Sequence, residues 1–152
     1  MYRFVAARVR VISGVPDLPS LRGLELHHIG IVVRDLDRAI AHYRLLGFGE
    51  PVEADLPDQG VRVATFPAGS GYLELLAPIS EDTGVTRFLE KRGEGMHHVA
   101  LKVRDLEQEL RRLEAAGLEL IDAHPRVGAH GWLVAFIHPR SCGGVLTELV
   151  QS

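Results

Sequence analysis

The sequence predicts an α+β protein built from two copies of a β-α-β-β-β module. Two observations carry that expectation. The segment His27-His28-Ile29-Gly30-Ile31-Val32-Val33-Arg34-Asp35-Leu36 recurs as His97-His98-Val99-Ala100-Leu101-Lys102-Val103-Arg104-Asp105-Leu106. Each half then ends in a strand-like run holding one carboxylate, Tyr72-Leu73-Glu74-Leu75-Leu76 and Leu146-Thr147-Glu148-Leu149-Val150. An internal repeat governs every later assignment, because each copy is one supersecondary unit.

Tyr2–Val5 and Arg8–Ile12 read as an extra strand or arm over residues 1–23, separated from the first copy by Pro16, Pro19 and Gly23. Arg3, Arg8 and Arg10 with no acid also resemble an organelle presequence, but the strand-like alternation favours the arm. The first module covers residues 24–79. Leu24 to Val33 is rich in aliphatic and β-branched residues, as a half-buried strand requires. Asp35 is placed to cap a helix whose stripe is Leu36, Ala39, Ile40, Tyr43 and Leu46, with Gly47 ending it. Strands are expected over 48–54, 61–67 and 71–77, with turn residues between them.

A linker helix is expected within 80–93, closed by Gly93, before the second module over 94–152. There, 96–103 is a strand and Asp105 with Gln108 makes a capping-box-like start. Leu106, Leu110, Leu113 and Ala116 form the stripe and Gly117 stops it. Strands over 118–123, 132–138 and 145–151 complete the copy.

The chain has 152 residues, 46% hydrophobic and 24% charged, which marks a globular protein. A net charge of -3 with no basic stripe argues against nucleic acid as a partner. No apolar run suffices to cross a bilayer, so no membrane partner is expected. Cys142 is the sole cysteine, which excludes an intrachain disulfide and suits a reducing, cytoplasmic setting.

Glu74 and Glu148 sit inside apolar runs, and burying an ionised carboxylate is costly unless it is paired or binds metal. A lone strand glutamate usually faces solvent; recurrence at matching places argues otherwise. Strand alternation lets only one histidine of each pair enter a shared cleft. His27 and His97 share faces with the residues that suit helix packing, whereas His28 lies with Gly30 and Val32, and His98 with Ala100. His28, Glu74, His98 and Glu148 are therefore the candidate ligands of one divalent metal ion. Two imidazoles and two carboxylates suit Co, Mn, Ni, Fe or Zn, with positions left for water or substrate oxygens. His42 is expected on an exposed helix face, and His130 sits in a glycine-bracketed loop that could approach a ligand.

These residues resemble the vicinal oxygen chelate superfamily, and within it the methylmalonyl-CoA epimerase family. The segments that carry the resemblance are HHIGIVVRDLDRAIAHYRLLGF from residue 27, LELLAP from 73, GEGMHHVALKV from 93 and VGAHGWLVAFIHPRSCGGVLTELVQ from 127. The resemblance implies a curled mixed sheet around a metal, an acyl-CoA substrate, a homodimer, and inversion at C2 of a methylmalonyl thioester. It places the ligands on His28, Glu74, His98 and Glu148, with Glu148 as catalytic acid/base. Several bacterial members carry a second glutamate three residues after the glycine of Gln59-Gly60-Val61, where this chain has Val63. The second proton-transfer group is thus unassigned, with His130 or a water near Gln59 as candidates. Arg126 and Arg140 are candidates for CoA phosphates. The same ligand pattern also occurs in glyoxalase I-type isomerases. Ring-cleaving dioxygenases use two His and one carboxylate, which a fourth ligand at Glu74 disfavours. Metal-free binding proteins share the fold without the ligands.

Overall fold

The structure, a computed structural model, describes residues 24–152. The expected arm over 1–23 lies outside the described residues. The first half comprises β1 (Glu25–Val32), α1 (Leu36–Leu45), β2 (Val52–Leu56), β3 (Val61–Ala68) and β4 (Gly71–Pro78). After α2 (Gly84–Arg92) the second half comprises β5 (Gly95–Lys102), α3 (Leu106–Ala115), β6 (Arg126–Val127), β7 (Leu133–Ile137) and β8 (Leu146–Gln151). All the strands join one curled mixed sheet in the order β2-β3-β4-β1-β5-β8-β7-β6. Read outward from the central β1–β5 seam, each half repeats the same order.

Local chemistry sets the helices. Asp35 accepts a hydrogen bond from the Arg38 amide, and Asp105 from the Gln108 amide, each at 2.9 Å. Thr83 caps α2 by accepting from the Thr86 amide at 3.0 Å. Leu36, Ala39 and Ile40 pack α1 on Ala64, Phe66 and Leu75; Leu106, Leu110 and Leu113 pack α3 on Ala135, Ile137 and Leu149. Burying one such leucine contributes about 1.5–3 kcal/mol. The opposite face is left for the site. There α2 lays Val85 and Leu89 against Val32, Val63 and Leu76, and Ala129 joins them from the loop before β7.

Two expected strands differ. The strand anticipated over 48–54 is displaced to Val52–Leu56, because Phe48 packs its ring with Tyr43 and Phe66 instead. The strand anticipated over 118–123 reduces to a single bridge, Leu120 to Ile137. Its ladder is cut short because the Asp122 carboxylate, 2.9 Å away, takes the Phe136 amide that a strand would have used. Among the described residues, no helix is long and apolar enough to cross a membrane.

The seam departs from simple pairing in two places. Leu26 faces Leu101 but His28 faces Ala100, so His27 is an extra residue; Gly30 faces His98 but Ile31 faces Met96, so His97 is extra too. Each outer histidine is a β-bulge, and a bulge suspends the alternation of faces.

Candidate active site

The four candidate ligands meet beneath the seam. His28 and His98 are on β1 and β5, Glu74 and Glu148 on the parallel neighbours β4 and β8, and all four are at most 5% exposed. His28 Nε2 lies 2.9 Å from His98 Nε2. The Glu148 carboxylate is 3.2 Å from His28 and 3.0 Å from His98. Glu74 stands slightly further back, with one oxygen 3.7 Å from His28 and 3.9 Å from His98. Gly30 creates the space, since a side-chain carbon there would fall inside the His98 ring.

The bulges correct the expectation that His27 and His97 pack against the helices. His27 Nδ1 is 2.8 Å from His28 Nδ1, and His97 Nδ1 is 2.9 Å from His98 Nδ1. Each inner imidazole is thus held from behind by its sequence neighbour. The surroundings of the two outer rings differ. His27 is buried against Trp132 and Tyr72, with centroids 4.5 and 5.4 Å away. His97 is half-buried, meets Phe88 at 4.9 Å and lines a cavity.

Electrostatics divide the two carboxyl groups. Burial alone would push Glu148 up, but hydrogen bonds from His28 and His98 hold it down to about 2. Burial pushes Glu74 up, and the two imidazoles offset that only in part. Burial opposes a charge on His28, yet the Glu148 hydrogen bond and both carboxylates raise it. Burial, with the neighbouring inner imidazole, lowers His27 and His97 to about 4, so both are neutral near pH 7.

Thr65 pairs across the strands with Glu74, and its hydroxyl lies 2.9 Å from His130 Nε2. His130 is the one non-glycine with positive φ (59°) among the described residues. It stacks edge-on against Trp132 and is exposed, as is His42. Val63, only 1% exposed, walls the small chamber beside the ligands together with Gln59, Ala129, Trp132 and Phe136. Gln59 itself donates to the Val127 carbonyl.

That chamber adjoins a cavity of about 590 Å³ lined by His97, His98, Phe88 and Phe136, with Arg87, Lys91, Arg92 and Arg126 among its walls. Arg126 therefore stands at the cavity, braced by Asp122 and over the Phe136 ring. Arg140 does not; it pairs with Glu119 on the surface. The cations of α2 escaped sequence reasoning, although Arg87 and Lys91 recur at one-turn spacing, the available signal. Phe88 and Trp132 carried no signal of their own.

The donors fit a divalent ion. Three ligands about 2.1 Å from an ion, meeting it at right angles, lie about 3.0 Å apart. His28, His98 and Glu148 have that spacing, and their donor atoms all fall within 4.8 Å of one another. A buried set of imidazole nitrogens and carboxylate oxygens is also the right chemistry.

The model of the Glyoxalase/Bleomycin resistance protein/Dioxygenase superfamily matches residues 27–136. The ethylmalonyl-CoA/methylmalonyl-CoA epimerase of Cereibacter sphaeroides is 39% identical over 129 residues, covering 83% of this chain and 96% of that one. The mitochondrial methylmalonyl-CoA epimerase of Bos taurus is 39% identical over 131 residues, covering 84% and 74%. A solved methylmalonyl-CoA epimerase in complex with methylmalonyl-CoA and NH4+ aligns with a TM-score of 0.82 at 38% identity, covering 85% of this chain and 94% of that one. The chain belongs to the glyoxalase superfamily, on its methylmalonyl-CoA epimerase branch.

Proposed function

We propose that the protein is an isomerase that inverts C2 of methylmalonyl-CoA, interconverting its (R) and (S) forms, with a divalent ion held by His28, Glu74, His98 and Glu148. The observation that carries this reading is a junction. Four buried donors drawn from both halves adjoin a cavity of about 590 Å³ with four cations in its walls. A cavity of that size suits a small-molecule ligand, and guanidinium and ammonium groups suit the phosphates of CoA. The names of the relatives favour this over a glyoxalase I-type isomerase. A metal-free binding protein would leave the paired buried carboxylates without a purpose.

The proton at C2 lies between a thioester carbonyl and a carboxylate, so its loss gives an enolate. A divalent ion at the four side chains supplies a Lewis acid for the charge that develops on those oxygens. Inversion further requires proton transfer on both faces of a planar carbon. Glu148, buried beside His28 and His98, serves one face as the base. Val63 is apolar and cannot serve the other. Glu74 comes from the opposite half and is the second carboxyl group lining the chamber, placed to serve the other face. Thr65, opposite Glu74 in the ladder, and the exposed His130 bonded to it lie on the way from Glu74 to the surface. Trp132, Val134 and Phe136 keep bulk solvent from the chamber. The donor set suits Co, Mn, Ni, Fe or Zn. The same reading takes the working form to be a cytoplasmic homodimer.

Proton NMR of methylmalonyl-CoA in heavy water, with metal-free and metal-loaded protein, tests the reading. The expected result is deuterium entry at C2 with inversion, only in the loaded sample. Absence of exchange with every metal sinks the epimerase reading; equal exchange without metal removes the ion from it.

A further inference from the structure

The geometry points to His97 as a substrate-binding residue: its Nε2–H is a hydrogen-bond donor facing the cavity, placed to receive an oxygen of the acyl thioester. This rests on the reading above of His98 as a metal-binding group. One proton links the two rings. To offer Nε2 to a metal, His98 must keep its ring proton on Nδ1. That proton has one acceptor at hand, His97 Nδ1 at 2.9 Å. His97 Nδ1 then presents a lone pair, so a neutral His97 carries its own proton on Nε2.

Where that N–H goes is decided by the surroundings. Among the described residues, Nδ1 is the only atom of the His97 ring with a protein hydrogen-bond partner. Among the described residues, no buried side-chain nitrogen or oxygen is left unpaired, so Nε2 is open rather than sealed. The ring stands edge-on to Phe88 and lines the large cavity next to His98. A ligand whose reacting end reaches His98 therefore passes the His97 donor.

The bulge is what makes this possible. Without the extra residue at position 97, alternation would aim the ring at the helix face, away from ligand. In the first half His27 repeats the same relay, but Trp132 and Tyr72 cover it. One module therefore offers a donor to the ligand and the other does not. The acceptor is an anionic or carbonyl oxygen of a carboxyacyl thioester.

Nitrogen-15 NMR of the zinc-loaded protein, without and with saturating malonyl-CoA, reads the inference directly. The expected result is an unprotonated Nδ1 and protonated Nε2 on His97, with the Nε2–H signal shifting when malonyl-CoA binds. In parallel, His97→Phe should raise KM for methylmalonyl-CoA about tenfold, the worth of one hydrogen bond. His97→Gln, which can both accept from His98 and donate outward, should restore most of it. Failure to take up zinc would sink the metal reading, and this inference with it. Zinc uptake with the opposite tautomer, or with a signal indifferent to malonyl-CoA, would overturn the His97 assignment alone. So would His97→Phe and His97→Gln having the same KM.

Discussion

The two halves of the sheet supply matching candidate ligands but unequal surroundings. Each contributes a histidine, a carboxylate on the parallel neighbouring strand, and a bulged histidine behind the first. On one side Trp132 and Tyr72 shut the outer ring away; on the other, the ring lies open to a cavity whose wall includes α2. Duplication alone yields a symmetric cradle of imidazoles and carboxylates. Stereochemical work on one substrate requires that the cradle be approached from one side, and α2, present once, breaks the symmetry.

The largest test of that contrast concerns the carboxylates. Glu148→Gln should slow C2 exchange by about 10²–10⁴, the usual contribution of a proton-transfer group. Glu74→Gln keeps an oxygen donor, so metal affinity measured by cobalt titration should fall less than exchange does. Equal rates for the wild type and Glu74→Gln would leave Glu74 a ligand only.

A middle-sized effect concerns the small residues opposite the inner imidazoles. Gly30 faces His98, and Ala100 faces His28. Gly30→Ala would drive a methyl group into the His98 ring and should lower metal affinity, about 10–100-fold if it only reorients the ligand. Ala100→Gly leaves the ring undisturbed and should cost about 0.5–1 kcal/mol of stability, seen in urea unfolding. Comparable metal affinities for the two variants would refute the close packing at Gly30.

The smallest effect is in pH. His27 and His97 fall from 6.5 unfolded to about 4 folded, so between those values the unfolded chain binds more protons. Their contribution to stability is complete above pH 6.5 and is lost as pH drops toward 4. Metal-free wild type should therefore lose thermal stability across that window relative to a His27→Gln/His97→Gln double variant. Parallel melting curves would contradict the burial of these rings.

Much of this was legible because local rules agree with the fold here. The repeat, the Asp35 and Asp105 caps, the leucine stripes and the positions of Glu74 and Glu148 all follow from residue type and spacing. The roles of His27 and His97 were not legible, because a bulge is a property of cross-strand pairing rather than of either strand. Nor was the missing strand after α3, where a side chain, Asp122, substitutes for backbone. The linker helix was foreseen as a connector only; its part in the cavity depends on where the sheet's curl places it.

The paired bulges also govern how the chain finds its register. Sliding one central strand past the other by a single residue turns every side chain over. The kinks at His27 and His97 lie toward opposite ends of the same ladder, like two teeth of a key, and only one alignment seats both. A slip of one residue between β1 and β5 would turn His28 or His98 away from the other three side chains, so the cluster and the register stand or fall together.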